Sequence, residues 1–163
     1  MRAAAALLLL LPAACGFQLR GTADVPFQSI YVASSTGGIG LELKRSIAAG
    51  TNAKVVGDAK QAEAILDFTL EAREREILSL TGTGRVREFQ LRYRVGFRVH
   101  DGKGADFVPA NTVVLVRDIS FNDTDVLAKE TEEQQLYRDM QSDMVQQIMR
   151  RLAAAHKPAP RVQ

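Results

Sequence analysis

The strongest pattern in the chain is an alternation of apolar and polar residues over residues 88–100. Phe89, Leu91, Tyr93, Val95, Phe97 and Val99 take odd positions, while Glu88, Gln90, Arg92, Arg94, Arg98 and His100 take even ones. A period of two over this length predicts a strand with one face in a core and the other toward water or a partner. A shorter alternation precedes it, with Leu66, Phe68, Leu70 and Ala72 on one side and Asp67, Thr69, Glu71 and Arg73 on the other. The apolar side changes parity over residues 74–77, where one extra residue in a bulge would flip the facing. Residues 80–85, Leu-Thr-Gly-Thr-Gly-Arg, join the two arms. The whole of residues 64–101 thus reads as one long twisted ribbon with a polar, basic tip, a natural contact device when the scaffold beneath is rigid.

Weaker periodicities place the remaining elements. A short strand is expected around Ile30, Tyr31 and Val32. Ile39, Leu43 and Ile47 recur at a spacing of four before Gly50, which predicts a short amphipathic helix with a glycine stop. Lys54, Val55 and Val56 suggest a brief strand, and residues 58–63 a loop. Asp101-Gly102-Lys103-Gly104 is a hairpin turn. The strand that follows, residues 112–117, alternates too poorly for its faces to be assigned. Asn122, Asp123, Thr124 and Asp125 offer helix N-caps. Leu136, Met140, Met144, Ile148 and Leu152 then form a stripe on a long helix, acidic at its start (Glu130, Glu132, Glu133) and basic at its end (Arg150, Arg151), as the helix dipole favours. The methionines read as core filler. The order β, α, β, ribbon, β, α predicts an α+β two-layer sandwich, a mostly antiparallel sheet with two helices packed on one face. The even face carrying Arg92, Arg94 and Arg98 is left for solvent or a partner.

The N-terminus reads as a targeting segment. Met1-Arg2 is followed by an apolar run over residues 3–11, shorter than the roughly 20 apolar residues that span a bilayer. Ala13 and Ala14 lead to Cys15, which suggests a secretory signal over residues 1–14 ending in a lipobox, with Cys15 the lipidated first residue of the mature chain. Pro12 stands where leucine is usual, with Leu11 one place further out. The other reading is an ordinary signal peptide with a chance cysteine. The expected organisation is then a lipoprotein domain over residues 15–156, its first part (15–27) a tether, and a disordered tail over 157–163. Several acyl chains on one cysteine would anchor the chain stably to a membrane. Gly16 rather than an aspartate follows Cys15, which by resemblance to bacterial lipoproteins directs it to the outer membrane.

At 163 residues the chain is long enough for one well-buried core, and a formal charge of +2 gives no reason to expect nucleic acid as a partner. A single cysteine excludes an intrachain disulfide. No Cys/His spacing for a metal, no glycine-rich phosphate loop and no Ser-His-Asp set is apparent, so neither a cofactor nor an enzyme is expected. Asp67 and Glu71 read as solvated carboxylates on one strand face. The bases allow two readings. Arg85 and Arg87 at the tip, continued by Arg92, Arg94 and Arg98, are either a solvated, edge-protecting face or an anion site, since arginine forks pair with phosphate bidentately. Lys129 lies at the start of the last helix.

Three stretches carry a family resemblance: Cys15-Gly16-Phe17-Gln18-Leu19-Arg20-Gly21, Arg87-Glu88-Phe89-Gln90-Leu91 after the tip, and Val126-Leu127-Ala128-Lys129-Glu130 entering the long helix. In this order they resemble the lipopolysaccharide-assembly lipoprotein family LptE, from Cys15 to about Leu152. The resemblance implies a non-enzymatic plug and assembly partner of the outer-membrane barrel LptD that binds lipopolysaccharide. It places the family's basic site at Lys129 and at the ribbon tip; the family's tip position falls near Gly82, and the bases here are Arg85 and Arg87. The alternatives are a lipoprotein module of another envelope assembly, without lipid A binding, and a small periplasmic hydrolase, for which no convergent acid and base groups are seen.

Overall fold

The computed structural model describes residues 23–35, 37–122 and 124–157. The signal segment, Cys15 and the tail from residue 158 lie outside the described residues. Among those described, the order is β1 (Ser29–Val32), α1 (Ile39–Gly50), β2 (Lys54–Val55), β3 (Ala64–Leu80), β4 (Val86–His100), β5 (Asp106–Ser120) and α2 (Val126–Ala153), with a 3-10 turn at Ala59–Gln61 inside the expected loop. The five strands form one sheet in the order β2-β1-β3-β4-β5. β1 is parallel to β2 and β3, and the other pairs are antiparallel. Both helices pack on one face, as the α+β two-layer sandwich requires.

The odd face of β4 is the centre of the core. Leu91, Tyr93, Val95, Phe97 and Val99 are fully buried, together with Met140, Met144, Ile148 and Leu152 from α2 and Ile39, Leu43 and Ile47 from α1. Leu136, expected in the same stripe, is only partly buried. Thr51, not Gly50, closes α1: its N–H and its hydroxyl both donate to the Ile47 carbonyl, at 3.0 and 2.9 Å. Gly50 stays within the helix with negative φ, so the left-handed glycine stop read from the sequence is not used.

The facing of β3 differs from the sequence expectation in an instructive way. Its pairing with β4 shifts register between Phe68 and Leu70 and again around Ser79, while pairing over Leu70 to Ile77 is unbroken. The bulge is therefore at Thr69, before residues 74–77, and it flips everything beyond it. Leu70 and Ala72 go to the open face, opposite Gly96 and Arg94, and Glu71 and Arg73 go to the helix face, opposite Val95 and Tyr93. Asp67 and Glu71 thus lie on opposite faces. Glu71 ties elements together: it accepts from the Tyr93 hydroxyl at 2.7 Å and from the Gly37 N–H at 2.7 Å, just ahead of α1. Burial, then the hydrogen bond to Glu71, pushes the Tyr93 phenol well above its ordinary pKa. Gly96 makes room for the bulge, because a Cβ there would meet Thr69 Oγ1 at 2.5 Å and the Leu70 backbone nitrogen at 3.3 Å.

The faces of β5, unreadable from its sequence, follow from register. Val113 and Ile119 are buried toward the helices; Val114 and Val116 are exposed on the open face, opposite Arg94 and Arg92. The ends of the molecule are equally defined. Ala23 bridges in parallel to Thr51 after α1, and lines one cavity with Met149, Arg150 and Ala153 near the end of α2. β3 runs away from that end for 17 residues, about 55 Å at about 3.3 Å per residue, so the ribbon tip is at the opposite end.

Candidate functional site at the far end of the ribbon

The tip is a short turn built from backbone and hydroxyl groups. Thr81 N–H donates to the Arg85 carbonyl at 2.7 Å, Gly84 N–H to the Thr81 carbonyl at 2.9 Å, and Arg85 N–H to Thr81 Oγ1 at 3.1 Å. Gly84 takes φ of +81°, a conformation that L side chains rarely adopt. Arg85 and Arg87 are both exposed beside it.

β5 brings the start of α2 to the same end. Ser120 pairs with Glu88, and Phe121 N–H donates to the Arg87 carbonyl at 2.8 Å. The Phe121 ring meets Phe89 edge-on, with centroids 5.2 Å apart. Asn122 then turns the chain: its carbonyl accepts from Asp125 N–H at 3.2 Å and its side chain from Thr124 N–H at 3.2 Å. Lys129 lies in the first turn of α2, its N–H bonded to the Asp125 carbonyl at 3.0 Å. Its ammonium reaches Ser120 Oγ at 3.0 Å and Glu132 at 2.8 Å. The fold therefore gathers Arg85, Arg87 and Lys129 at one end. Arg85 and Arg87 are exposed, and Lys129 is held against the end of β5, so an anion binding it would compete with Glu132.

Sequence reasoning missed the apolar part of this end. Ile77, Leu78, Leu80, Val126 and Leu127 are exposed, Leu127 to 81%. The second irregularity, around Ser79, breaks the alternation that would have exposed this pattern as a face. Also unread was how the far half is held. The Arg75 guanidinium stacks over Phe89 at 4.6 Å and bonds Glu133 at 2.9 Å, Arg73 donates to Gln141 at 2.8 Å, and Tyr137 donates to the Glu74 carbonyl at 2.7 Å. On the open face, Arg94 pairs with Glu74, Arg92 with Glu76 at 3.0 Å and Arg98 with Asp106 at 3.0 Å. These three arginines carry carboxylate partners, which favours the solvated-face reading for them. Among the described residues no group of three or more His, Cys, Asp or Glu is placed to hold a metal, and no helix is long and apolar enough to cross a membrane.

Fold and site together define a class: a small α+β sandwich from which a long ribbon carries bases and exposed apolar side chains to one end. The LptE family, described as lipopolysaccharide-assembly, matches residues 27–152. Proteins named LPS-assembly lipoprotein LptE from Yersinia pestis (strain Pestoides F) and Yersinia pseudotuberculosis serotype O:1b (strain IP 31758) are each 30% identical over 155 residues, covering 92% of this chain and 73% of their own length. The solution structure of an uncharacterized lipoprotein B from Nitrosomonas europaea is similar at a TM-score of 0.72 and 44% identity, over 85% of this chain and 91% of that one. The crystal structure of the rare lipoprotein B from Shewanella oneidensis is similar at a TM-score of 0.65 and 26% identity, over 78% and 95%. A minor lipoprotein from Acinetobacter baumannii shares the fold, with a TM-score of 0.62 at 22% identity over 83% and 97%. The chain belongs to the LptE family of lipopolysaccharide-assembly lipoproteins, and its role lies in lipopolysaccharide transport.

Proposed function

We propose that this chain is a non-enzymatic lipoprotein, anchored in the outer membrane through Cys15, that sits as a plug in the LptD barrel and binds lipopolysaccharide at the far end of its ribbon through Arg85, Arg87 and Lys129. The observation that carries the reading is the convergence of the hairpin tip and the β5-to-α2 turn, which gathers these bases beside the exposed Leu78, Leu80 and Leu127. Lipid A carries phosphates and acyl chains, and a basic end flanked by apolar side chains suits both. Charge-assisted contacts contribute about 1.5–3 kcal/mol each. Replacing Arg85 and Lys129 by aspartate should therefore weaken lipopolysaccharide binding about tenfold or more, measured on the purified full chain. The fold should be retained, since exposed charges away from the core shift stability little. Unchanged lipopolysaccharide binding in the double variant refutes the anion site. If binding is unchanged but co-purification with the barrel is lost, the tip contacts the barrel wall instead. Co-purification of the wild-type chain with a different envelope complex would support the second reading, a module of another assembly.

A further inference from the structure

The opposite end of the molecule carries an open groove of about 560 Å3 between the start of β5 and the end of α2. Its apolar lining comes from Phe107, Val108, Pro109, Ala110, Ala154 and Ala155. Its cationic side comes from Arg151 and Lys157, with His156 beside them. Among the described residues the one carboxylate in the lining, Asp106, is paired with Arg98 at 3.0 Å, so the charge that the described side chains leave for the groove is positive. Arg151 is held in place by Phe97, its guanidinium 5.9 Å from the ring centroid. On the other flank of the same helix end lies the cavity lined by Ala23. From Cys15 to Ala23 is eight peptide steps in the sequence, at most about 28 Å at about 3.5 Å each. A lipidated Cys15 therefore keeps this end, and not the ribbon tip, within reach of the membrane surface.

We propose that this groove docks on anionic phospholipid of the membrane that holds the anchor, with Arg151 and Lys157 on the headgroup phosphate and the apolar lining against the upper part of the lipid. The proposal rests on the lipid-anchored reading given above. Cations at a membrane surface are attracted by anionic headgroups, and an apolar groove beside them takes up the part of the lipid that water excludes. Attachment would then rest on two signals, acyl chains and a basic groove. The second fixes orientation: it seats the Ala23 end at the membrane surface on the side of the anchor and leaves the ribbon tip to the barrel lumen.

The chain contains no tryptophan, so a single one is a unique reporter. Ala154 is exposed, and Ala154→Trp places the indole in the groove. The lipidated full chain carrying it is inserted into phosphatidylcholine vesicles with brominated acyl chains, with and without phosphatidylglycerol. Quenching should appear only with phosphatidylglycerol, and Thr83→Trp at the far tip should show none. Each cation removed should lower the docked-to-undocked ratio about fivefold, so Arg151→Gln and Lys157→Glu should each reduce quenching. Lys157 is exposed, so its variant tests the groove without disturbing the Phe97 contact. Equal quenching in neutral vesicles, or quenching unaffected by Lys157→Glu, overturns the proposal. Flotation separates the two readings. A chain that floats without phosphatidylglycerol-dependent quenching defeats the groove alone, whereas one that does not float defeats the anchor and the groove together.

Discussion

The near and far halves of the ribbon use the same two strands in opposite ways. Near the base, Leu66, Val95, Phe97 and Val99 have no exposed surface. Toward the tip, Ile77, Leu78 and Leu80 are each about half exposed. Strand pairing runs through both halves, unbroken from Leu70 opposite Gly96 to Ile77 opposite Phe89. What differs is the covering. The near half is held by apolar burial under two helices. The far half is held to α2 by polar and cation-π contacts, through Arg73, Arg75 and the Tyr137 hydroxyl. Backbone pairing and a few directional contacts can hold a strand out from a core, which leaves its apolar side chains available to a ligand or a barrel wall.

The sharpest way to break that comparison is to truncate one apolar side chain in each half. Phe97→Ala should cost about 3–5 kcal/mol, as removal of a buried aromatic ring does. Leu80→Ala should stay within about 0.5 kcal/mol. Urea unfolding of the two variants measures both. Similar losses would mean that the far half has a core of its own.

A smaller effect should come from the junction. Gly96→Val drives a side chain into Thr69 Oγ1 and the Leu70 backbone, and should cost about 1–3 kcal/mol by overpacking. Thr69→Ala in the same chain removes the nearest obstacle and should restore part of that loss. A neutral Gly96→Val would show that the bulge can move, and that the facing of the far half is not fixed at Thr69.

Most of the fold was legible because its signals are periodic. The odd positions of β4 and the spacing-four stripe of α2 gave the two largest faces, and each depends only on its own strand or helix. The bulge was misplaced because it is written in two strands at once: the apolar parity of β3 changes late, but the space for the extra residue is Gly96, on the partner. A glycine inside an otherwise strict alternation was the available signal. The faces of β5 were illegible because Val113, Val114, Leu115 and Val116 are all apolar, and only pairing with β4 decides which are covered. At the candidate site, the chemistry of Arg85, Arg87 and Lys129 was legible, and a shared edge for the tip and the turn at residues 122–125 could be anticipated from the element order, but their convergence could not be derived. It depends on β5 ending opposite Glu88, a long-range register that no local pattern specifies.

The smallest effect expected distinguishes the turns at the two ends. The tip turn is closed by an uncharged hydroxyl, with Arg85 N–H donating to Thr81 Oγ1. The near turn after β4 is closed by a carboxylate: Asp101 Oδ1 accepts from Lys103 N–H at 2.7 Å and Ala105 N–H at 2.9 Å. The bond from Ala105, then that from Lys103, holds the Asp101 carboxyl below its ordinary value of 3.8. A depressed carboxylate binds fewer protons folded than unfolded near that pH. Its contribution is therefore present above the unfolded value and is lost as pH falls through the folded one. Asp101→Ala should lower the melting temperature slightly at neutral pH, and the gap to wild type should close as pH falls from about 5 to about 2. Thr81→Ala at the tip should show a gap that does not change over the same range. Melting curves of the three chains across that range test the contrast, and a pH-independent Asp101→Ala gap would show that the near turn, like the far one, is closed without charge.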